Sequence, residues 1–463
     1  MSVAEFLPFG ELLRGAYTTE EMLKIFCEKN FLEKCLRIEA ALAKAQADLG
    51  IIPREAANAI EALSKKGLDP TKVAKIKSEA RHLLVSFMYA AADELGEYGE
   101  YFHLGPTTQD ILDTSLILLS KEALDVIIRD LKKLTAIILD KAEKYRYAVM
   151  AGRTHAQHAV PITLGLKLAF WADELIDNIK RLQATYERIN YLHLSGAVDT
   201  MASFVQICDG DKEKVFKMIE LTAKYLNLKP IYYGQHQRID KFAEIVSNLS
   251  LIASLIGRMG LEIRDLSAEE VKEVFEPWIK GVHGSSTMPQ KRNPEPSEWL
   301  EGIAKIVRVL PTSINSVTMQ HERDATRMAP EFLVLPLAFT LLHAQIKSVT
   351  RIIEGLQVFE ENMKKNMSIS RGFMAAEPLM LELAKRTGKK ITAHKIIYDV
   401  VQDAINLNRT FEECILENTM IRKYFSQDEL KDLLNLEKYI GTSVEQIEKV
   451  KSAFEMLMKE KSE

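Results

Sequence analysis

Cysteine is scarce in this chain: among 463 residues only Cys27, Cys35, Cys208 and Cys414 occur, and none forms a CxxC pair. That rules out a dense disulfide framework or a thiolate metal centre as the organising device. No histidine–cysteine cluster has metal-ligand spacing and no Gly-rich nucleotide fingerprint is present, so chemistry without a metal or organic cofactor is expected. An excess of one charge is also lacking. The 61 Lys and Arg against 65 Asp and Glu leave a net charge of −4 and a pI near 6.3, which gives no basic field for nucleic acid. No apolar run reads as long enough to cross a bilayer, and the first residues show no basic segment followed by an apolar stretch. A cytoplasmic location without a membrane partner is the expectation. Runs of alternating β-branched residues between hairpin turns are missing as well.

What the chain has is helical periodicity. From Leu124 the apolar positions Ile127, Leu131, Leu134 and Ile138 step by three and four, and Ile245, Leu249, Ile252, Ile256, Met259, Ile263 and Leu266 do the same. The stretch from Pro161 to Leu182 reads as a third helix, with Leu168, Trp171, Leu175, Ile179 and Leu182 facing inward. With 47% apolar residues the chain can fill a sizeable core. The fold class is all-α, built on a bundle of long helices. Such stripes carry more apolar surface than one bundle covers, so self-association is expected.

The most telling segment is Gly284-Ser285-Ser286-Thr287-Met288-Pro289-Gln290-Lys291-Arg292-Asn293-Pro294. Gly281 and Gly284 permit unusual backbone angles, while Pro289 and Pro294 keep the loop out of a helix. Hydroxyls, two cations and a carboxamide together suit a carboxylate or a phosphate. Two further segments stand out. Gly152-Arg153-Thr154-His155-Ala156-Gln157-His158-Ala159-Val160-Pro161 places two histidines just ahead of the third helix. His103-Leu104-Gly105-Pro106-Thr107-Thr108-Gln109-Asp110, followed by Asp113-Thr114, reads as a turn leading into a helix whose first N–H groups favour an anion.

These three segments, in this order, resemble signatures of the fumarase/aspartase superfamily, in its branch of adenylosuccinate lyases and 3-carboxy-cis,cis-muconate cycloisomerases. The resemblance implies three helical domains, at about 1–106, 107–354 and 355–463, and a homotetramer with a central helical bundle and shared active sites. It implies a lyase that eliminates fumarate from an N-succinyl-type, dicarboxylate-containing substrate. Ser285 takes the role of catalytic base, supported by Lys291, and His155 that of the acid for the leaving nitrogen, oriented by Glu298. A carboxylate partner would raise the imidazole pKa and fix its tautomer. Thr107 and Thr108 grip a substrate carboxylate, and Thr154, Ser286, Met288, Asn293, His82, Gln237, Arg238 and Arg323 complete the binding set.

The chain departs from adenylosuccinate lyases where those enzymes hold the nucleotide phosphate. Their usual Arg-Tyr and His-Asp pairs read Ala16-Tyr17 and His82-Leu83, and a serine and an arginine appear as Met328 and Phe332. Their Gln-Arg-Asp-Arg reads Gln237-Arg238-Ile239-Asp240, and SGAVGT reads Ser195-Gly196-Ala197-Val198-Asp199-Thr200. Losing two arginines and a serine removes charge-assisted hydrogen bonds of about 1.5–3 kcal/mol each, unless Arg14 or Arg327 replaces them from a shifted position. Thr392-Ala393-His394 and Tyr439-Ile440-Gly441 look more like the cycloisomerases. A phosphate-free N-succinyl substrate, a cycloisomerase activity and a non-catalytic binding role are the alternatives.

Overall fold

In a computed structural model the described residues are 13, 15–233, 240–278, 281, 285–316 and 323–459. They are predominantly helical, as the stripes predict. The longest helix, Thr108–Lys144, spans 37 residues, and Leu124, Ile127, Leu131, Leu134 and Ile138 along it are fully buried. Asp240–Leu266 buries its whole stripe from Ile245 to Leu266 in the same way. Burying one such side chain contributes about 1.5–3 kcal/mol, so the stripe, rather than intrinsic propensity, holds these helices.

The chain divides into two compact units. The first comprises residues 1–131, 178–256 and 302–348. In it the Glu28–Asp48 helix packs on Arg54–Lys66 and on Lys212–Leu226. The second comprises 132–177, 257–301 and 349–463. Its C-terminal part closes around Leu379, Leu383, Ile397, Phe411, Ile415 and Ile421. Two short helices there open with reciprocal capping boxes, Thr410 with Glu413 and Ser426 with Glu429.

The second unit also corrects the sequence expectation. Pro161 does not open a helix: it lies in strand β2, Gln157–Thr163, paired antiparallel with β1, Val149–Thr154. The proline withholds an N–H, biases Val160 toward extended geometry, and is followed by two β-branched residues. The helix begins at Leu164, where the Thr163 hydroxyl accepts the Leu166 N–H at 3.1 Å. Leu168, Trp171, Leu175, Ile179 and Leu182 are buried as expected. A second pair, Val274–Phe275 with Gln357–Val358, is only two residues long.

Two helical stretches, Asp240–Leu266 and Ala325–Glu354, are long and apolar enough to cross a membrane, contrary to the sequence expectation. Most of each apolar window is buried inside the protein, as in core helices.

Candidate active site

Ser285 stands at the start of the described part of its loop. Its Oγ accepts backbone N–H groups from Thr287 at 3.3 Å and Met288 at 3.0 Å. Donors aimed at a hydroxyl oxygen favour its deprotonated form. Ser286, Met288 and Lys291 are exposed, and Asn293 is half-buried. Lys291 donates its backbone N–H to Met288 O at 3.1 Å. The Arg292 guanidinium lies over the Trp278 ring at 5.0 Å. Beyond the loop, the Ser297 N–H donates to Glu276 Oε1 at 2.6 Å. Burial raises the Glu276 carboxyl despite the bonds from Ser297. The Glu295–Val307 helix is thereby fixed at its first turn, and Glu298 is exposed on it.

His155 occupies the tip of the β1–β2 hairpin. Strand register pairs Thr154 with Gln157, leaving His155 and Ala156 as a two-residue turn with φ of 51° and 60°. Left-handed angles at both central positions match the twist of a tight hairpin, but they strain residues with a Cβ. The tip therefore sets an exposed imidazole on a defined bend. The base of the hairpin is fixed more firmly. Gly152 sits at the register shift, where a Cβ would come within 2.3 Å of Val160 O. Arg153 forms a forked pair with Glu273, at 2.8 and 3.1 Å, and the fully buried Glu273 also accepts from Asn366 at 2.9 Å. His158, opposite Arg153, is driven toward its neutral form by partial burial and then by the Arg153 charge. Among the described residues no hydrogen bond joins His155 to Glu298, and Thr154 beside His155 is exposed. Thr154 also contributes to the wall of a cavity of about 790 Å³ lined by the hairpin strands, Phe170 and residues 438–443.

Thr107 and Thr108 are in the first unit, at the start of the Thr108–Lys144 helix. The preceding His103 has φ of 58°, and its Nδ1 is 2.6 Å from Glu39 Oε1. Burial alone would lower the His103 pKa, but the Glu39 charge and hydrogen bond raise it overall. Gln46 donates to Leu104 O at 2.7 Å. The Thr107 N–H does not point at solvent, as a bare helix start would have it: it donates to Asp110 Oδ2 at 2.7 Å. His82 caps the Leu83–Leu95 helix, its Nδ1 accepting the Val85 N–H at 3.2 Å. Arg323 is half-buried; Gln237, Arg238 and Arg14 lie outside the described residues.

Arg327 is committed to carboxylates within the protein. Its side chain is 3% exposed and binds Asp113 at 3.0 and 3.1 Å and Glu331 at 2.7 Å. Burial and then the Asp113 charge push the Glu331 carboxyl up to about 8. Phe332 packs edge-on against Phe31, with ring centres 5.8 Å apart. Sequence reasoning missed Glu273, Glu276 and Asn366, whose partners are far apart in the chain. It also missed Glu21, Asp130 and His343, which gather as potential metal ligands. Burial alone would raise the Asp130 carboxyl, but bonds from His343, Arg129 and Lys347 hold it well below the usual carboxylate range. Two cations already balance this group.

Comparison with known proteins shows the family. Residues 14–309 match the Lyase family model, and residues 372–450 match the model for the adenylosuccinate lyase C-terminus. The chain is 40% identical to adenylosuccinate lyase of Pyrococcus horikoshii, covering 94% of this chain and 95% of that one. It is 34% identical to N-acetyl-S-(2-succino)cysteine lyase of Dickeya dadantii, covering 95% of both. Among solved structures, the 3-carboxy-cis,cis-muconate lactonizing enzyme of Pseudomonas putida superposes with a TM-score of 0.87 at 30% identity, covering 97% of this chain and all of that one. The chain belongs to the lyase family of the fumarase/aspartase superfamily, in its adenylosuccinate lyase branch. It is an enzyme, a carbon–nitrogen lyase of the fumarate-releasing kind.

Proposed function

We propose that the protein eliminates fumarate from an N-succinyl substrate, with Ser285 as base and His155 as acid. Ser285 takes the proton from the carbon next to one carboxylate. The adjacent C–N bond breaks with its electron pair going to nitrogen, and His155 protonates that nitrogen as fumarate forms. Thr107, Thr108 and Asn293 hold the carboxylates, whose charge rises as the carbanion develops. The observation that carries this is the pair of N–H groups converging on Ser285 Oγ, which makes a serine oxygen a usable base. The exposure of His155 and of Glu298, with no hydrogen bond between them among the described residues, supports a homotetramer in which neighbouring chains complete each site. The three-part division at 106 and 354 belongs to the same proposal.

Adenylosuccinate is the substrate favoured by the Pyrococcus relative. A second reading, an N-succinyl compound without a phosphate, is favoured by the burial of Arg327 in ion pairs and by the packing of Phe332 against Phe31. The test is fumarate release from adenylosuccinate and from a phosphate-free N-(1,2-dicarboxyethyl) amine, with Ser285→Ala as control. Release from either compound that disappears in the variant supports the base. Most of the activity surviving in Ser285→Ala removes Ser285 from that role.

A further inference from the structure

Asp110 is completely buried, and its carboxylate reaches the assigned residue Thr107 through the backbone. What it gathers is backbone. Oδ2 accepts the Thr107 N–H at 2.7 Å and the Gly196 N–H at 3.1 Å, while Oδ1 accepts the Ser195 N–H at 2.7 Å and the Gly196 N–H at 3.3 Å. One carboxylate thus ties the first turn of the Thr108–Lys144 helix to the root of a loop 85 residues further along the chain. Ser195 and Gly196 are buried, whereas Ala197, Val198 and Thr200 project outward. The Ser195 hydroxyl donates to Asp199 within this loop at 2.6 Å.

The arrangement differs from an ordinary helix cap in a way that matters for a ligand. A threonine at a helix start usually spends its hydroxyl on an N–H of the first turn. Here the Asp110 N–H bonds to the Thr107 carbonyl oxygen at 3.1 Å, and the Asp110 carboxylate takes the Thr107 N–H. Among the described residues neither the Thr107 nor the Thr108 hydroxyl has a hydrogen-bond partner, although both side chains are half-buried. Two uncommitted hydroxyls therefore stand on a backbone that is fixed from behind. The segment is pinned on its other side too. Ser203 donates to Gly105 O, and a Cβ at Gly105, whose φ is +102°, would meet the Phe204 ring at 2.9 Å.

We infer that Asp110 is a positioning residue for substrate carboxylate recognition: it locks the Thr107–Thr108 turn and the 197–200 loop into one frame and keeps both hydroxyls free for the substrate. This rests on the proposed elimination. Asp110→Asn preserves size but turns an NH₂ group toward N–H donors, so the frame loosens. The probe is succinate, a saturated C4 dicarboxylate, used as an inhibitor and as a ligand in calorimetry. In the folded variant the succinate inhibition constant and KM rise about tenfold or more, kcat changes much less, and the Thr107, Ser195 and Gly196 amides exchange faster with solvent.

Equal succinate binding in variant and wild type overturns this inference alone. Wild-type protein that neither binds succinate nor releases fumarate overturns the elimination beneath it as well. Should the variant fail to fold, wild-type hydrogen exchange decides. Succinate should slow exchange at Thr107, Ser195 and Gly196 together, and protection of Thr107 without the other two would refute a shared frame.

Discussion

Replacing Glu331 by glutamine should make the protein more stable in mild alkali while changing little in mild acid. Glu331 is fully buried and shares the Arg327 guanidinium with Asp113. Burial and the Asp113 charge outweigh the pull of Arg327 and bring Glu331 from 4.5 up to about 8, so the folded state retains a proton there, with His193 a further titratable group 3.5 Å from Asp113. The folded pKa lies above the unfolded one. The folded form therefore binds more protons between about pH 4.5 and 8, and stability from this group is complete below that window and falls as pH rises through it. At about 1.4 kcal/mol for each pH unit the full effect is about 5 kcal/mol, and about 2 kcal/mol if Asp113 takes part of the proton.

Glutamine keeps an oxygen for the Arg327 Nε–H, now at 2.7 Å, and removes the carboxylate charge that repels Asp113. Thermal midpoints at equal protein concentration should coincide near pH 5. Near pH 8.5 the variant should melt higher by about 2–5 °C, given about 1 °C per kcal/mol for a chain of this size. A variant that melts lower by the same margin at both pH values would show Glu331 ionised throughout, and the reasoning about a shared guanidinium would fail.

Gly152→Ala should damage activity through the hairpin rather than the fold. Its Cβ would press on Val160 O, costing about 1–3 kcal/mol and displacing the His155 tip, with kcat falling about 100-fold; unchanged kcat would count against the hairpin as carrier of the acid. Arg153→Met strands the buried Glu273 carboxylate and should cost about 3 kcal/mol. Adding Glu273→Leu should recover much of that loss in thermal midpoint, and a double variant no better than the single would refute it. Mixing Ser285→Ala and His155→Ala chains should restore part of the fumarate release that each lacks alone. No recovery in verified mixed oligomers would place base and acid in one chain.

The long helices were legible because their stripes bury one face for several turns, so Leu124 to Ile138 and Ile245 to Leu266 could be read without a partner in view. The β1–β2 hairpin was not. Its tip, His155-Ala156, lacks the glycine or asparagine that usually announces a two-residue turn, and Arg153 to His158 shows no apolar alternation. The motifs singled out Ser285, His155 and Thr107 as candidates because those side chains carry the family's wording. They could not reveal what holds them, since Asp110 bonds to Ser195 and Arg153 to Glu273 across long stretches of chain. Arg327 illustrates the same limit: a cation in sequence is available to a ligand only if no buried carboxylate has claimed it, and two have.

The hairpin that displays His155 also separates two demands that proteins usually have to meet together. Everything that keeps it in shape lies below the tip, in the Gly152 shift, the Arg153 fork and the Asn366 contact. The imidazole itself bonds to nothing described within its own chain. Folding thus places few restrictions on the residue at 155 beyond tolerance of a left-handed bend. A lineage built on this scaffold can exchange the side chain proposed here as proton donor, and with it the kind of bond that would be broken, without renegotiating how the rest of the molecule folds.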